Sequence, residues 1–292
     1  MFDIILQSII SGITVGFIYT LIALGFNIIY NASYIINFAQ GEFVMLGGMI
    51  AATAFSFFKL NLIYSLIIST IIVTVIGALI ERLAIQPVKN ADVSILVIIT
   101  IGASIFIRGI AMLLWGKDPY IFPSFVSQEP IIIRNAAINR HSLIIIVITI
   151  IVILLLQYFF KKTITGKAMR AVADNKRAAS LMGINIDKIM LISFGLSGAL
   201  GSIAGIIVTP ITLTTYDIGI MFGLKGFSAA ILGGIGNSFG ALIGGLLLGI
   251  FECLAAALIS SGYKDAIAFL VLLFVLFIKP SGILGKATIE KV

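Results

Sequence analysis

Eight apolar stretches joined by short polar connections commit this chain to the lipid bilayer: residues 4–29, 43–58, 62–85, 95–115, 142–160, 189–208, 227–257 and 266–278. Crossing about 30 Å of hydrocarbon takes about 20 helical residues. Stretches 43–58 and 266–278 are short by that measure, and 227–257 is too long for one straight helix. Only 11% of the residues are charged, where a soluble domain needs roughly a quarter. The expected fold is all-α: one polytopic membrane domain over residues 1–292, with roughly eight transmembrane helices (seven to nine), some broken or re-entrant. The first stretch reads as a span and not as a cleavable signal. Asp3 stands where a signal is basic, the apolar core is too long, and no small-residue cleavage site follows.

Charge then orients the chain. Residues 161–188 hold seven of the nineteen Lys and Arg against two acids, Asp174 and Asp187. Basic loops beside spans stay in the cytoplasm. With 161–188 inside and alternation outward from it, the amino terminus lies outside and the carboxyl terminus inside. Twelve Lys and Arg then fall on the inner side, six on the outer side, and Arg108 within a span. This bias accounts for the net charge of +7, so nucleic acid is not implied. A lone cysteine, Cys253, offers no disulfide framework or metal cluster, and a lone histidine, His141, closes off most enzyme readings. No nucleophile, base and orienting acid assemble around it, and no G-x-x-x-x-G-K-[ST] phosphate loop is present.

Parity sets a further condition. Lys188 and Lys279 both belong inside, yet three apolar blocks lie between them. The block from 225 to 257 must therefore double back, and Gly233-Gly234-Ile235-Gly236-Asn237 is where it turns. Irregular backbone at membrane depth is tolerated only beside protein or a water-filled cavity. Gly233, Gly234 and Asn237 thus read either as a wall of the translocation path or as close helix packing.

A second irregular region gathers Asn31, Ser33, Asn37, Gln40, Gly41 and Glu42 between two apolar segments. Such polar density is costly without partners or water. One reading is a broken helix whose amides and Glu42 line a gate; the other is an inner loop with Glu42 complementing the next helix dipole. Glu81 and Arg82 suit an interface anchor, while Arg108 and Glu252, both in outer halves of spans, are expected to neutralise each other. Strings 41–48 and 226–234 look alike with one insertion, by duplication or by chance.

The basic island reads as a helix over 167–182, started by Thr163 or Thr165 and stopped by Gly183. Ala168, Val172, Ala179 and Met182 form a small apolar stripe among Lys167, Arg170, Lys176 and Arg177. It fits a groove on a cytoplasmic partner or an anionic lipid surface.

The string GKAMRAVADNKRAASLMGINID at 166–187 resembles the cytoplasmic coupling loop of branched-chain amino acid ABC-transporter permeases. NFAQGEFVMLGG at 37–48, ERLAIQPV at 81–88, the glycine-rich 223–252 and YKDAIAFLVLLFVLFIKPSGILGK at 263–286 extend the likeness along the chain. The details look more like the shorter of that system's two permeases. The resemblance implies an importer half in a bacterial inner membrane, paired with a second permease, powered by two ATP-binding cassette subunits and supplied by an external binding protein. ATP would be bound by those partners, leaving this chain without cofactor, metal or catalytic residues. Contacts to the ATPase would fall on Arg170, Asp174, Arg177, Ala178, Ala179 and Gly183. Ala178-Ala179 and Gly183 keep the A-A-x-x-x-G core of the general permease motif; Arg177 replaces its usual Glu, and its Pro is absent. Asn37, Gln40, Glu42, Gly233, Gly234 and Asn237 are the candidate path or gate residues. Permeases for urea or short amides share these features. A secondary transporter driven by an ion gradient is the rival from another class, with Arg108 and Glu252 as its only intramembrane charges.

Overall fold

The computed structural model describes residues 2–89, 91–126, 130–133 and 136–285. Its helices are α1 (Phe2–Ser33), α2 (Gln40–Ser56), α3 (Leu62–Ile80), α4 (Val93–Trp115), α5 (Arg140–Lys162), α6 (Ile164–Asp174), α7 (Lys176–Leu181), α8 (Ile186–Thr212), α9 (Ile218–Gly233), α10 (Ser238–Leu258) and α11 (Lys264–Ile278). A π-helical turn, Glu81–Ile85, prolongs α3, and a short antiparallel hairpin, β1 (Ile131–Ile133) and β2 (Ala136–Ile138), precedes α5. Among the described residues, seven helical stretches are long and apolar enough to cross a membrane; α2 and α9, of 17 and 16 residues, are shorter. The protein is a multi-pass membrane protein.

Burial sorts the helices into an inner and an outer set. The apolar windows of α1 and α8 are 67% and 72% buried, against 22% in α3 and α4, 17% in α5 and 6% in the α11 stretch. Nearly all of α2 is buried as well. Small residues explain how the inner helices come so close. A Cβ on Gly16 or Gly249 would collide with backbone of the facing helix, α10 or α1 respectively. Such backbone contact supplies van der Waals packing where lipid provides no hydrophobic drive.

Contacts between helix ends fix how the chain threads. At one end, the Tyr34 hydroxyl after α1 donates to Ala173 O on α6, and Lys89 after α3 pairs with Asp187 at the start of α8. The same end holds Asn31, which donates to Gly236 O, and Ile283 beyond α11, whose amide donates to Leu232 O. At the opposite end, the Trp115 indole closing α4 donates to Thr53 near the end of α2, and Tyr120 bridges to Thr214 after α8. Counting α1, α2, α3, α4, α5, α8, α9, α10 and α11, the described chain passes between the two ends nine times.

The doubling back expected in 225–257 occurs where the glycines stand: α9 stops at Gly233 and α10 starts at Ser238. Two expectations are corrected. The basic island is two helices, because Asn175 breaks it and caps α7, its Oδ1 accepting the Ala178 amide. Lys225, left just outside the apolar stretch 227–257, lies inside α9 and is buried.

Candidate functional site

The first break in regular structure builds the centre of the bundle. Tyr34, with φ 60°, turns the chain out of α1, and residues 34–39 run back beside α4 before α2 begins. The Phe38 amide donates to Thr100 Oγ1 at 3.1 Å, and the Ala39 amide to Asn37 Oδ1, also at 3.1 Å. Ser104 Oγ donates to Glu42 Oε1 at 2.8 Å. At 1.5 Å per residue, Thr100 and Ser104 lie roughly 10 and 16 Å along an α4 of roughly 33 Å. The first turn of α2 therefore sits beside the middle of α4.

A second helix start meets it there. Gly41 packs on Gly219 and Gly223, where a Cβ on Gly223 would lie 3.1 Å from Gly41 Cα. The positive ends of α2 and α9 thus converge on Glu42. Arg108 Nε on α4 stands 4.0 Å from Glu42 Oε1. Glu42 is 1% exposed, yet its Oε2 has no hydrogen-bond partner, and neither has Asn37 Nδ2. Gln40 is engaged with α8: its Oε1 accepts from Ser197 Oγ, and its Nε2 donates to Ser197 O at 3.3 Å.

The other three candidate path or gate residues lie apart, at the turn between α9 and α10. Asn27 Nδ2 donates to Asn237 O, the Gly236 amide to Asn27 Oδ1, and Asn237 Nδ2 to Leu284 O. Gly233 packs against backbone of Gly240, and Gly234, at φ 104°, against Gly285. This geometry is that of close packing.

Arg108 and Glu252 do not pair, contrary to expectation. Glu252 Oε1 accepts Lys225 Nζ at 2.6 Å, and its Oε2 accepts the Tyr19 hydroxyl, also at 2.6 Å. Lys225 Nζ is also 2.6 Å from Asp265 Oδ1 and 5.8 Å from the Tyr19 ring centroid. Four helices, α1, α9, α10 and α11, meet in this cluster. Sequence reading missed Lys225, Tyr19, Asp265 and Ser104. A signal for Lys225 existed: it is the only charge in an apolar, glycine-rich run from 218 to 233.

The segment expected to contact an ATPase exposes some of its residues and buries others. Thr163 caps α6 by accepting the Gly166 amide, and Gly183 ends α7 with φ 83°. Met169 and Val172 turn into the protein's own core, while Arg170, Asp174, Arg177, Ala178 and Gly183 are exposed. Ala179 is buried, and its carbonyl accepts the Ile184 amide. It supports the surface from beneath. A shallow groove of about 430 Å³ opens between Ala171, Asp174, Ala178, Met182 and Ile184.

Residues 8–276 match the family described as branched-chain amino acid transport system / permease component. The chain belongs to this family. The permease is 35% identical over 301 residues to the high-affinity branched-chain amino acid transport system permease protein LivH of Salmonella typhimurium, covering 98% of this chain and 97% of that one. It is 34% identical to BraD, the corresponding permease protein of Pseudomonas aeruginosa, covering 98% of both chains. A probable LivH of Methanocaldococcus jannaschii is 31% identical over 91% of the permease and 88% of that relative. The family assigns a permease component of a transport system, which agrees with the all-helical architecture read from the sequence.

Proposed function

We propose that this permease forms one half of the membrane path of an ABC importer for branched-chain amino acids. Likeness along nearly the whole chain to relatives named for that substrate carries the reading. In it, a second permease completes the path, two ATP-binding cassette subunits bind and hydrolyse ATP, and an external binding protein delivers the amino acid. The membrane is the bacterial inner membrane. The end bearing α6 and α7 faces the cytoplasm, with the amino terminus outside and the carboxyl terminus inside; the basic residues of 161–188 support that orientation.

The coupling step follows from the geometry of that end. Asp174 and Ala178 line the exposed groove, Arg177 and Gly183 are exposed next to its residues in sequence, and α8 starts only five residues after α7. A push on α6 and α7 therefore reaches α8, one of the two most buried spans, without a flexible intermediary. Lys89 on the far side of Asp187 ties the end of α3 to the same movement. Uptake of radiolabelled leucine into vesicles holding the complete complex tests the proposal. It should require ATP and the binding protein and survive collapse of the proton gradient. Uptake that follows the ion gradient and ignores ATP would establish the secondary-transporter alternative.

A further inference from the structure

The Glu42 centre has an incomplete set of partners. A carboxylate taken out of water is stabilised only when its oxygens are covered by hydrogen bonds or a counter-charge. One oxygen of Glu42 receives Ser104 and faces Arg108, and the other is uncovered, directed at the first turn of α9, where a Cβ on Gly219 would lie 2.8 Å from it. The Asn37 amide nitrogen is equally unpaired.

Arg108 supplies the second observation. Its side chain is 25% exposed, and it stands on the same stripe of α4 as Ile101, Ile105 and Met112, all of them exposed. A guanidinium in the middle of a span faces protein or a water-filled cavity rather than lipid. That stripe of α4 therefore looks onto the path or the neighbouring permease. Glu42 lies immediately behind it.

We propose that Glu42 and Arg108 form a transient site for the charged head of an amino acid, the ammonium group bound by Glu42 and the carboxylate by Arg108; this rests on the importer reading above. The arithmetic of charge favours a zwitterion. Inserted between the two side chains, it gives each a new partner of the right sign and leaves the net charge of the site unchanged. A lone cation or anion would cover one side chain and strand the other. The second Glu42 oxygen has no existing partner that binding of the ammonium would have to displace. The site is closed in this structure, since Ser104 of α4 lies over Glu42, so α4 must part from α2 for a ligand to enter.

The test uses the complete complex in proteoliposomes, with Glu42→Gln, Arg108→Gln and the conservative Glu42→Asp and Arg108→Lys. Leucine uptake and ATP hydrolysis stimulated by leucine-loaded binding protein are measured side by side. Uptake in Glu42→Gln and Arg108→Gln should fall about 10- to 100-fold, the loss expected when a charged hydrogen-bonding partner goes missing. Stimulated hydrolysis should stay within about twofold of wild type, since the coupling groove is untouched. The conservative variants should recover part of the uptake. Variants that transport within twofold of wild type overturn the site while leaving the importer reading intact. A parallel fall of uptake and hydrolysis overturns it in favour of a structural or coupling role. Wild-type uptake that needs sodium, with the need removed by Glu42→Gln, overturns it in favour of an inorganic cation. A wild-type complex that takes up no branched-chain amino acid overturns the importer reading and this site with it.

Discussion

Replacing Lys225 by Met removes a charge at nearly constant volume, and the structure sets the size of the effect. Lys225 and Glu252 side chains are each 7% exposed and 2.6 Å apart, whereas Asp265 is 38% exposed. Without the ammonium, Asp265 turns to water at little cost, but Glu252 stays buried. Breaking a buried pair costs about 3–5 kcal/mol. The lower figure applies here, because the Tyr19 hydroxyl still donates to Glu252. At roughly 2–4 °C per kcal/mol, purified Lys225→Met permease complex should lose roughly 6–12 °C in thermal stability, read as the temperature of half-maximal aggregation in nanodiscs. Adding Glu252→Gln removes the stranded charge and should restore at least half of that loss. A single variant within about 1 °C of wild type, or a double variant less stable than the single, would refute the assignment of a buried ion pair.

Contrast comes from Lys89 and Asp187, whose pair is exposed at 42% and 37%. A double-mutant cycle with Lys89→Ala and Asp187→Asn should return only about 0.2–1 kcal/mol of coupling, falling further in high salt; a value above about 2 kcal/mol would contradict the exposure. Gly183→Val places a branched side chain at φ 83° and should cost about 1–2 kcal/mol locally. Stimulated ATP hydrolysis should drop while the amount of inserted permease stays constant. Asn175→Ala deletes the α7 cap at about 1 kcal/mol and should weaken recovery of the ATP-binding subunits on copurification. Gly249→Leu drives a side chain into α1 backbone and should abolish recovery of folded protein, with Gly109→Leu, which meets open space, as the tolerated control.

The breaks in the spans were legible because polar groups inside an apolar run demand partners and clustered glycines admit a turn that larger residues resist. Asn37, Gln40 and Glu42 announced the interruption before α2, and Gly233 to Asn237 announced the turn before α10. Partnership between charges was not legible in the same way. Counting left Arg108 and Glu252 as a natural couple, since Lys225 stands just before the apolar stretch 227–257. Yet a lysine 27 residues before Glu252 reaches it once α9 and α10 fold back as a helical pair, and Glu42 is then left for Arg108. The two alike strings at 41–48 and 226–234 mark no equivalent places: one opens α2, the other closes α9. What likens these helices is the meeting of their first turns, carried by Gly41, Gly219 and Gly223, which no string comparison displays. Ala179 illustrates the converse, a motif residue whose role is to hold up the surface around it.

The central position of α1 has a consequence for how the protein is made. This helix has polar partners from much later in the chain: Tyr19 waits for Glu252, 233 residues later, and Asn27 for Asn237, 210 residues later. At about 5–20 residues per second, Tyr19 spends roughly 10 to 50 s in the membrane before its acceptor exists. During that interval α1 must be sheltered by the insertion machinery or shield its own polar stripe in lipid. A ribosome that stalls before α9 would therefore leave behind a chain whose α1 lacks α9 and α10, and with them the partners of Tyr19 and Asn27, a ready substrate for membrane quality-control proteases.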